Sequence, residues 1–492
     1  MKTVFALSLT IMLVSAPVFS QAPTIPDHPR NLFFEPLEFE PPISESHRHT
    51  LANGGTAFVV EDHALPLVSV SVLVRTGSYL DPPDKVGLAA LTGSQMRAGG
   101  SASLSAADFD EEAAFLAAQI GSSIGSTMGQ VNLNCLTKDL EVAMDLFFDM
   151  LRYPRFEQPR LSLAKSQLLQ SMERRNDSTR SIEGREWGRL MRGDEHFSTQ
   201  PSTQLSLESI TRDDLEAFHR RYFHPGNFIF AISGDVDSNK IVETLNTYLA
   251  DWPVLSEIVP EVPSPVHEPL RGLHSVDKAD VNQGRVSIGH LGVMRDNSDR
   301  YPLIVMNDIL GGGGFSSRLL TRIRSDEGLA YSVGSSFGMG TYYEGVFRVA
   351  FQSRSETVAR ATAIVLEEIE RIRNELVSDD ELSNSIASFV DTFTRNFSSP
   401  DATVNLFARD EYTGRDSEYL IHYRSRISAV TAKDVLRVAQ EYLHPDKLAI
   451  LVVGDMATIE AGDPENPEYS LADTPVARIP LPDPFTMEYP SH

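Results

Sequence analysis

The chain repeats itself. Residues Thr211–Asp235 read TRDDLEAFHRRYFHPGNFIFAISGD, and residues Thr431–Asp455 read TAKDVLRVAQEYLHPDKLAILVVGD. The offset is 220 residues at both ends, with no gap between them. Tyr222/Tyr442, His224/His444, Pro225/Pro445, Gly234/Gly454 and Asp235/Asp455 coincide, and so do apolar pairs such as Leu215/Val435 and Ile232/Val452. A register held this long marks a duplication, which constrains the chain to two copies of one unit.

Each copy has the same local grammar. Thr211 or Thr431 caps a helix whose first turn is acidic or polar. The Tyr-x-His-Pro element ends that helix, because the residue before proline disfavours helical angles. An apolar run then closes the unit as a buried strand bounded by Gly-Asp. His224 and His444 sit in this repeated turn and read as structural.

Residues 252–270 hold Pro253, Pro260, Pro263, Pro265 and Pro269, a semi-rigid linker composition. The first unit is therefore expected over residues 45–251 and the second over 271–460. Residues 461–492 form a proline-rich, acidic tail expected to lie loosely on the surface. Within the first unit, Thr56–Glu61 and Val68–Arg75 read as adjacent strands joined by the Asp62–Pro66 turn. Helical patterns follow at 88–96, 106–119, 140–151 and 160–175, with a strand at 131–136. Strands and helices mix without strict alternation. The expected class is α+β, as two homologous α/β sandwich-like units with helices packed on a sheet.

A formal net charge of −25 repels phosphate backbones, so nucleic-acid binding is not expected. Met1-Lys2, the apolar run Val4–Val14 and the small residues up to Ala22 read as a secretory signal over residues 1–22. The expected mature protein is exported, periplasmic or secreted, and no other stretch approaches a membrane span. Cys135 is the only cysteine, which rules out an internal disulfide and a cysteine zinc site. Its apolar neighbours make it a packing residue.

The most unusual segment is LGGGGFSSRLLTRIRSDEGLAYSV, residues 310–333. Gly311, Gly312, Gly313 and Gly314 follow a helix expected at 301–310, and Ser316 or Ser317 then caps a short helix carrying Leu319, Leu320 and Ile323. Gly328 turns the chain into a strand near Ala330. No Gly-Lys-Ser/Thr ending accompanies the glycines, so a phosphate loop is a poor reading. A loop that lets another backbone approach closely fits better.

That segment, the duplicated Tyr-x-His-Pro and Gly-Asp elements, and HTLANGGTAFVVEDHALPLVSVSVLVRTGSYLDPP at residues 49–83 closely resemble the insulinase/pitrilysin family of zinc peptidases. The resemblance covers residues 49–455. It implies a catalytic His-x-x-Glu-His after Gly-Leu-Ala. Here Gly87-Leu88-Ala89 continues as Ala90-Leu91-Thr92-Gly93-Ser94, so Ala90, Gly93 and Ser94 stand where the two zinc histidines and the base would be. The implied third ligand is a glutamate on the later long helix, where only Glu173 is acidic. Arg192-Gly193-Asp194-Glu195-His196 offers Glu-His without the first histidine. No cofactor is therefore expected in this chain.

What the chain keeps is Arg324 and Tyr331, spaced as the Arg/Tyr pair that the resemblance implies for the zinc-less subunit of two-chain members. Such a subunit binds peptide substrate and stabilises transition-state charge through that pair, while a zinc-bearing homologous partner completes a heterodimeric metalloendopeptidase. Gly311–Gly314 would then contact substrate. The alternative is a non-enzymatic structural or peptide-binding member of the family. An enzyme with relocated chemistry finds no triad or carboxylate pair to support it.

Overall fold

Strict alternation in Gly-Gln-Val-Asn-Leu-Asn-Cys-Leu makes residues 129–136 a strand. Val131, Leu133 and Cys135 face the core, and Gln130, Asn132 and Asn134 face the other way. The computed structural model describes residues 28, 31–32, 38–471 and 474–490; the expected signal, residues 1–22, lies outside them. The described residues before Pro41 contain one turn, in which Asn31 N–H donates to the His28 carbonyl at 2.9 Å. Everything below concerns residues 41–492.

The first sheet comprises β1 (Arg48–Thr50), β2 (Thr56–Glu61), β3 (Leu67–Val74), β4 (Gln119–Ile124), β5 (Gly129–Leu136) and β6 (Phe228–Gly234), in the order β1-β2-β6-β3-β5-β4. Its helices are α1 (Leu88–Ala98), α2 (Ala106–Phe115), α3 (Leu140–Arg152), α4 (Gln158–Glu173), α5 (Thr179–Arg192), α6 (Gln204–Ser209), α7 (Arg212–Tyr222) and α8 (Ser238–Leu249). The second half supplies β7 (Gly272–Asp277), β8 (Gln283–Leu291), β9 (Val293–Met294), β10 (Ala330–Phe337), β11 (Met339–Gly340), β12 (Val346–Arg354), β13 (Ala449–Gly454) and β14 (Val476–Arg478). Six of these form a sheet in the order β10-β12-β8-β13-β7-β14, while β9 and β11 pair apart. Its helices are α9 (Arg300–Asn307), α10 (Arg318–Leu320), α11 (Val358–Asn374), α12 (Asp379–Thr392), α13 (Pro400–Thr413), α14 (Glu418–Ser428), α15 (Ala432–Tyr442) and α16 (Met456–Ala461).

The duplication is visible strand by strand. β2-β6-β3-β5-β4 and β7-β13-β8-β12-β10 share one pattern, a parallel pair followed by three antiparallel ones. Thr211 and Thr431 each close a capping box with the aspartate three residues on. The fold is two homologous mixed α/β units, as the sequence implied.

Several local expectations need correction. β2 and β3 are not neighbours: β6 lies between them, parallel to β2 and antiparallel to β3. Phe228, Phe230 and Ile232 fill one core while Ile229 and Ala231 are buried on the opposite face, so β6 needs cover on both sides. The helix expected to Gln119 stops at Phe115, because Ala117 takes a left-handed φ of 49° and turns the chain into β4. Nor is the tail loose. Val476–Arg478 adds to β7 as a parallel strand, Asn176 Nδ2 donates to the Pro482 carbonyl at 2.8 Å, and Gln204 N–H donates to the Phe485 carbonyl at 2.9 Å. Its Tyr489 hydroxyl donates to the buried Glu186 carboxylate.

The two halves also exchange a helix. α5 packs on β8 and β13 of the second sheet, whereas α13 packs on β2, β3 and β6 of the first. Trp187, Leu190 and Met191 of α5 share a core with Val276, Leu451 and Val453. Below them, the buried Glu183 carboxylate accepts from Ser287 and Arg348, with Arg285 at 3.7 Å. On α13, the Tyr412 hydroxyl donates to the Thr127 carbonyl at 2.7 Å, and Glu411 pairs with Arg48 at 2.9 Å.

Candidate functional site

After α9 the backbone widens into a π-helical turn, Asp308–Gly312, so the helix expected to reach Leu310 ends at Asn307. Gly311 is buried against β10: a Cβ there would meet Ser335 Oγ at 2.6 Å and Ser335 N at 2.7 Å. It belongs to a helix–strand contact and not to a substrate-facing loop surface, which corrects part of the expectation for Gly311–Gly314. Gly312 and Gly314 are exposed. Gly314 adopts φ +63°, a left-handed conformation that glycine takes without strain, and the chain then throws Phe315 outward, 76 % exposed.

The Ser317 hydroxyl donates to the Gly314 carbonyl at 2.7 Å before α10 begins. Leu319, Leu320 and Ile323 anchor α10 and the following turn in the core. Two arginines of this segment are neutralised. Arg318 forks onto Glu381 at 2.6 and 3.0 Å, and Arg322 reaches Glu367 at 3.5 Å. Burial by itself raises the Glu381 carboxyl, but Arg318 and the Ser378 N–H outweigh it and hold the group at about 2.

Arg324 is different. Among the described residues its guanidinium has no hydrogen-bond or ion-pair partner. Its carbon lies over the Tyr331 ring, 4.7 Å from the centroid, and 4.9 Å from that of Phe315. Gly328, at φ +63°, turns the chain so that Leu329 N–H returns to the Ile323 carbonyl at 2.8 Å. That turn places Tyr331, 83 % exposed, beside the arginine. The two residues the sequence singled out are thus in contact. Two rings against a guanidinium leave its N–H edge available to an incoming carbonyl or carboxylate. Phe315 was not anticipated. The only signal for it was an aromatic directly after four glycines, outside any apolar period.

The zinc positions are occupied otherwise. Ala90 and Ser94 lie on the exposed side of α1, and the Ser94 hydroxyl is spent on the Leu91 carbonyl at 3.1 Å. Gly93 is pressed against β4: a Cβ there would sit 2.4 Å from Ile124 N, and the Ser122 hydroxyl donates to the Gly93 carbonyl. Glu173 ends α4, exposed. Among the described residues no group of three or more His, Cys, Asp or Glu could hold a metal ion. These side chains do not fit a zinc centre. His196 bonds to Ser198 Oγ at 2.7 Å and to the Pro263 carbonyl at 3.2 Å. Cys135 is buried, and burial pushes its thiol up to about 11, far from a reactive thiolate.

Two family models match the chain: insulinase (peptidase family M16) over residues 57–184, and the peptidase M16 inactive domain over residues 209–389. Together they span more than half of it. The chain belongs to the insulinase, or M16, family. Among its M16 relatives is an uncharacterized zinc protease of Streptomyces coelicolor, 25% identical over 63% of this chain and 68% of that one. A Helicobacter pylori relative named non-peptidase homolog YmxG is 26% identical over 65% of this chain and 74% of its own. In fold, the M16 inactive-domain protein of Pseudomonas fluorescens superposes with a TM-score of 0.74 at 23% identity, covering 83% of this chain and 97% of that chain.

Proposed function

We propose that this M16 chain is the zinc-less subunit of an exported two-chain metalloendopeptidase. In this reading a homologous partner supplies the zinc site and the base, and this chain supplies one wall of the chamber together with Arg324 and Tyr331. The observation that carries it is the uncompensated Arg324 guanidinium held against exposed Tyr331 and Phe315. A catalytically idle scaffold gains nothing by exposing two aromatic rings at the end of a glycine loop. The guanidinium edge and the Tyr331 hydroxyl can both donate to the carbonyl next to a scissile bond, holding an extended peptide and stabilising the charge that develops on its oxygen.

The test mixes this protein with a co-expressed M16 chain bearing His-x-x-Glu-His and follows cleavage of a quenched fluorescent peptide. Activity only in the mixture, lowered roughly 100-fold by Arg324→Ala, is the expected result. Activity indifferent to Arg324→Ala and Tyr331→Phe would sink the role given to the pair. A second reading, a peptide-binding member without catalytic output, draws support from the name of the Helicobacter relative. It predicts peptide binding by this chain and no cleavage in any mixture.

A further inference from the structure

On the first sheet, the face turned away from the main core carries a row of neutral hydrogen-bonding side chains. Ser69 and Ser71 of β3 stand directly across from Asn134 and Asn132 of β5, and Gln119 of β4 continues the row beyond Asn134. Cross-strand bonds fix them. Asn132 Oδ1 accepts from Ser71 at 2.8 Å and from Gln130 at 3.0 Å, and Asn134 Nδ2 donates to Ser69 at 2.8 Å. Asn132 is thereby left with its Nδ2 donors spare, and Asn134 with its Oδ1 acceptor. Two residues apart on one strand, they offer a donor and an acceptor roughly 6.8 Å apart, the two-residue repeat of an extended peptide.

This row floors a cavity of about 940 Å³ whose opposite wall comes from the second half of the chain, at residues 395–409. Two guanidiniums line it, Arg395 and Arg409, and among the described residues neither has a hydrogen-bond or ion-pair partner. Asp401 lines the same cavity, but its carboxylate accepts from Asn405 Nδ2 at 3.1 Å and forms an ion pair with neither arginine. The second sheet shows what this fold does when arginines need neutralising. Arg285 and Arg348 stand on the equivalent face, and the exchanged α5 brings the buried Glu183 to them. At the first sheet the exchanged α13 brings Arg409 over a neutral floor, and the carboxylate it brings with it, Asp401, is bonded to Asn405 and not to the arginine.

We infer that this cavity binds an extended acidic peptide segment, its backbone on Asn132 and Asn134 and its carboxylates on Arg395 and Arg409. The inference rests on the peptide-binding part of the proposed function and names its substrate class. A chain of net charge −25 turns acidic peptides away from most of its surface, so two uncompensated guanidiniums mark where one is admitted.

The test is fluorescence anisotropy on the full chain alone. The probes are a labelled, terminally blocked Glu/Asp-rich peptide, its Gln/Asn isostere, and a labelled polygalacturonate oligomer. The acidic peptide is expected to bind roughly tenfold or more tightly than the isostere, and Arg395→Gln with Arg409→Gln should abolish the difference. Both side chains are exposed and unpaired, so an unchanged melting temperature verifies folding. Equal binding of the two peptides, or of the oligomer alone, overturns the inference. Because the assay needs no partner, the two proposals fail separately. Acidic binding without cleavage in the mixture removes only the two-chain reading, and cleavage without acidic preference removes only this one.

Discussion

Gly93→Ala is a one-methyl test of how the zinc position is closed. Gly93 lies in α1 with helical backbone, so conformational strain plays no part, and helix propensity alone favours alanine by about 1 kcal/mol. Against that, the added methyl would sit 2.4 Å from Ile124 N, 2.8 Å from Ser123 C and 2.9 Å from Ile124 Cγ1. Two of these are backbone atoms of β4, which must retreat by about an ångström to reach van der Waals distance. β4 is held by its ladder to β5 and by the Ser122 hydroxyl on the Gly93 carbonyl. Overpacking of this kind costs about 1–3 kcal/mol, and losing the hydrogen bond adds about 1. The net expectation is a loss of about 1–3 kcal/mol. Gly184→Ala is the matched control: it is also helical, has nothing within 4 Å of the new methyl, and should gain about 0.5–1 kcal/mol. Urea denaturation followed by far-UV circular dichroism reads both. A Gly93→Ala chain as stable as the native one would mean that β4 does not rest on α1. The reason given for the closed site would then be wrong. By the same overlap, writing His-x-x-Glu-His back into α1 should cost at least as much stability.

Two other perturbations probe the arginine pairs. Glu381, held at about 2 against an ordinary 4.5, contributes stability that is complete above the ordinary value and lost as pH falls towards the folded one, worth at most about 3 kcal/mol. The stability gap between the native chain and Arg318→Gln should therefore narrow steadily as urea midpoints are taken from about pH 5 down to about pH 3; a gap independent of pH refutes the pairing. Glu183→Ala strands Arg348 and Arg285 beneath α5 and should cost about 3–5 kcal/mol in the same denaturation assay, a loss below about 1 kcal/mol showing that α5 is not anchored there.

What was legible in the sequence was local. Thr211 and Thr431 announce their helices because a cap and its N3 aspartate lie within one turn, and His-Pro ends those helices through the geometry of a single peptide. Arg324 and Tyr331 were singled out by the family resemblance, and the glycine turn between them shows why two residues seven apart can touch. Partner choice across the chain was not legible. Nothing within Phe228–Gly234 says that it inserts between β2 and β3, since an apolar run reports burial and not neighbours. Nothing near Glu183 points to Arg348, which is 165 residues away. The acidic-peptide pocket was hidden for the same reason. That Arg395 and Arg409 lack partners is a property of the surrounding space, not of their neighbours in the chain.

The two copies keep one architecture and use it differently. In both, a helix meets the edge strand through a glycine, Gly93 on β4 and Gly311 on β10. In the first copy α1 runs on past that contact to Ala98, and among the described residues no group of three or more His, Cys, Asp or Glu could hold a metal ion there. In the second, the helix dissolves at the contact and exposes Phe315 against Arg324. The exchange of α5 and α13 then sorts the charges. The first copy's carboxylate goes to the second copy's arginines, while a second-copy arginine is carried over the first copy's neutral floor. Arg324 and the Arg395/Arg409 pair, each without an ion-pair partner among the described residues, are places where an extended peptide can be held by its carbonyls and carboxylates. At the second, the Asp401 carboxylate is bonded to Asn405 Nδ2.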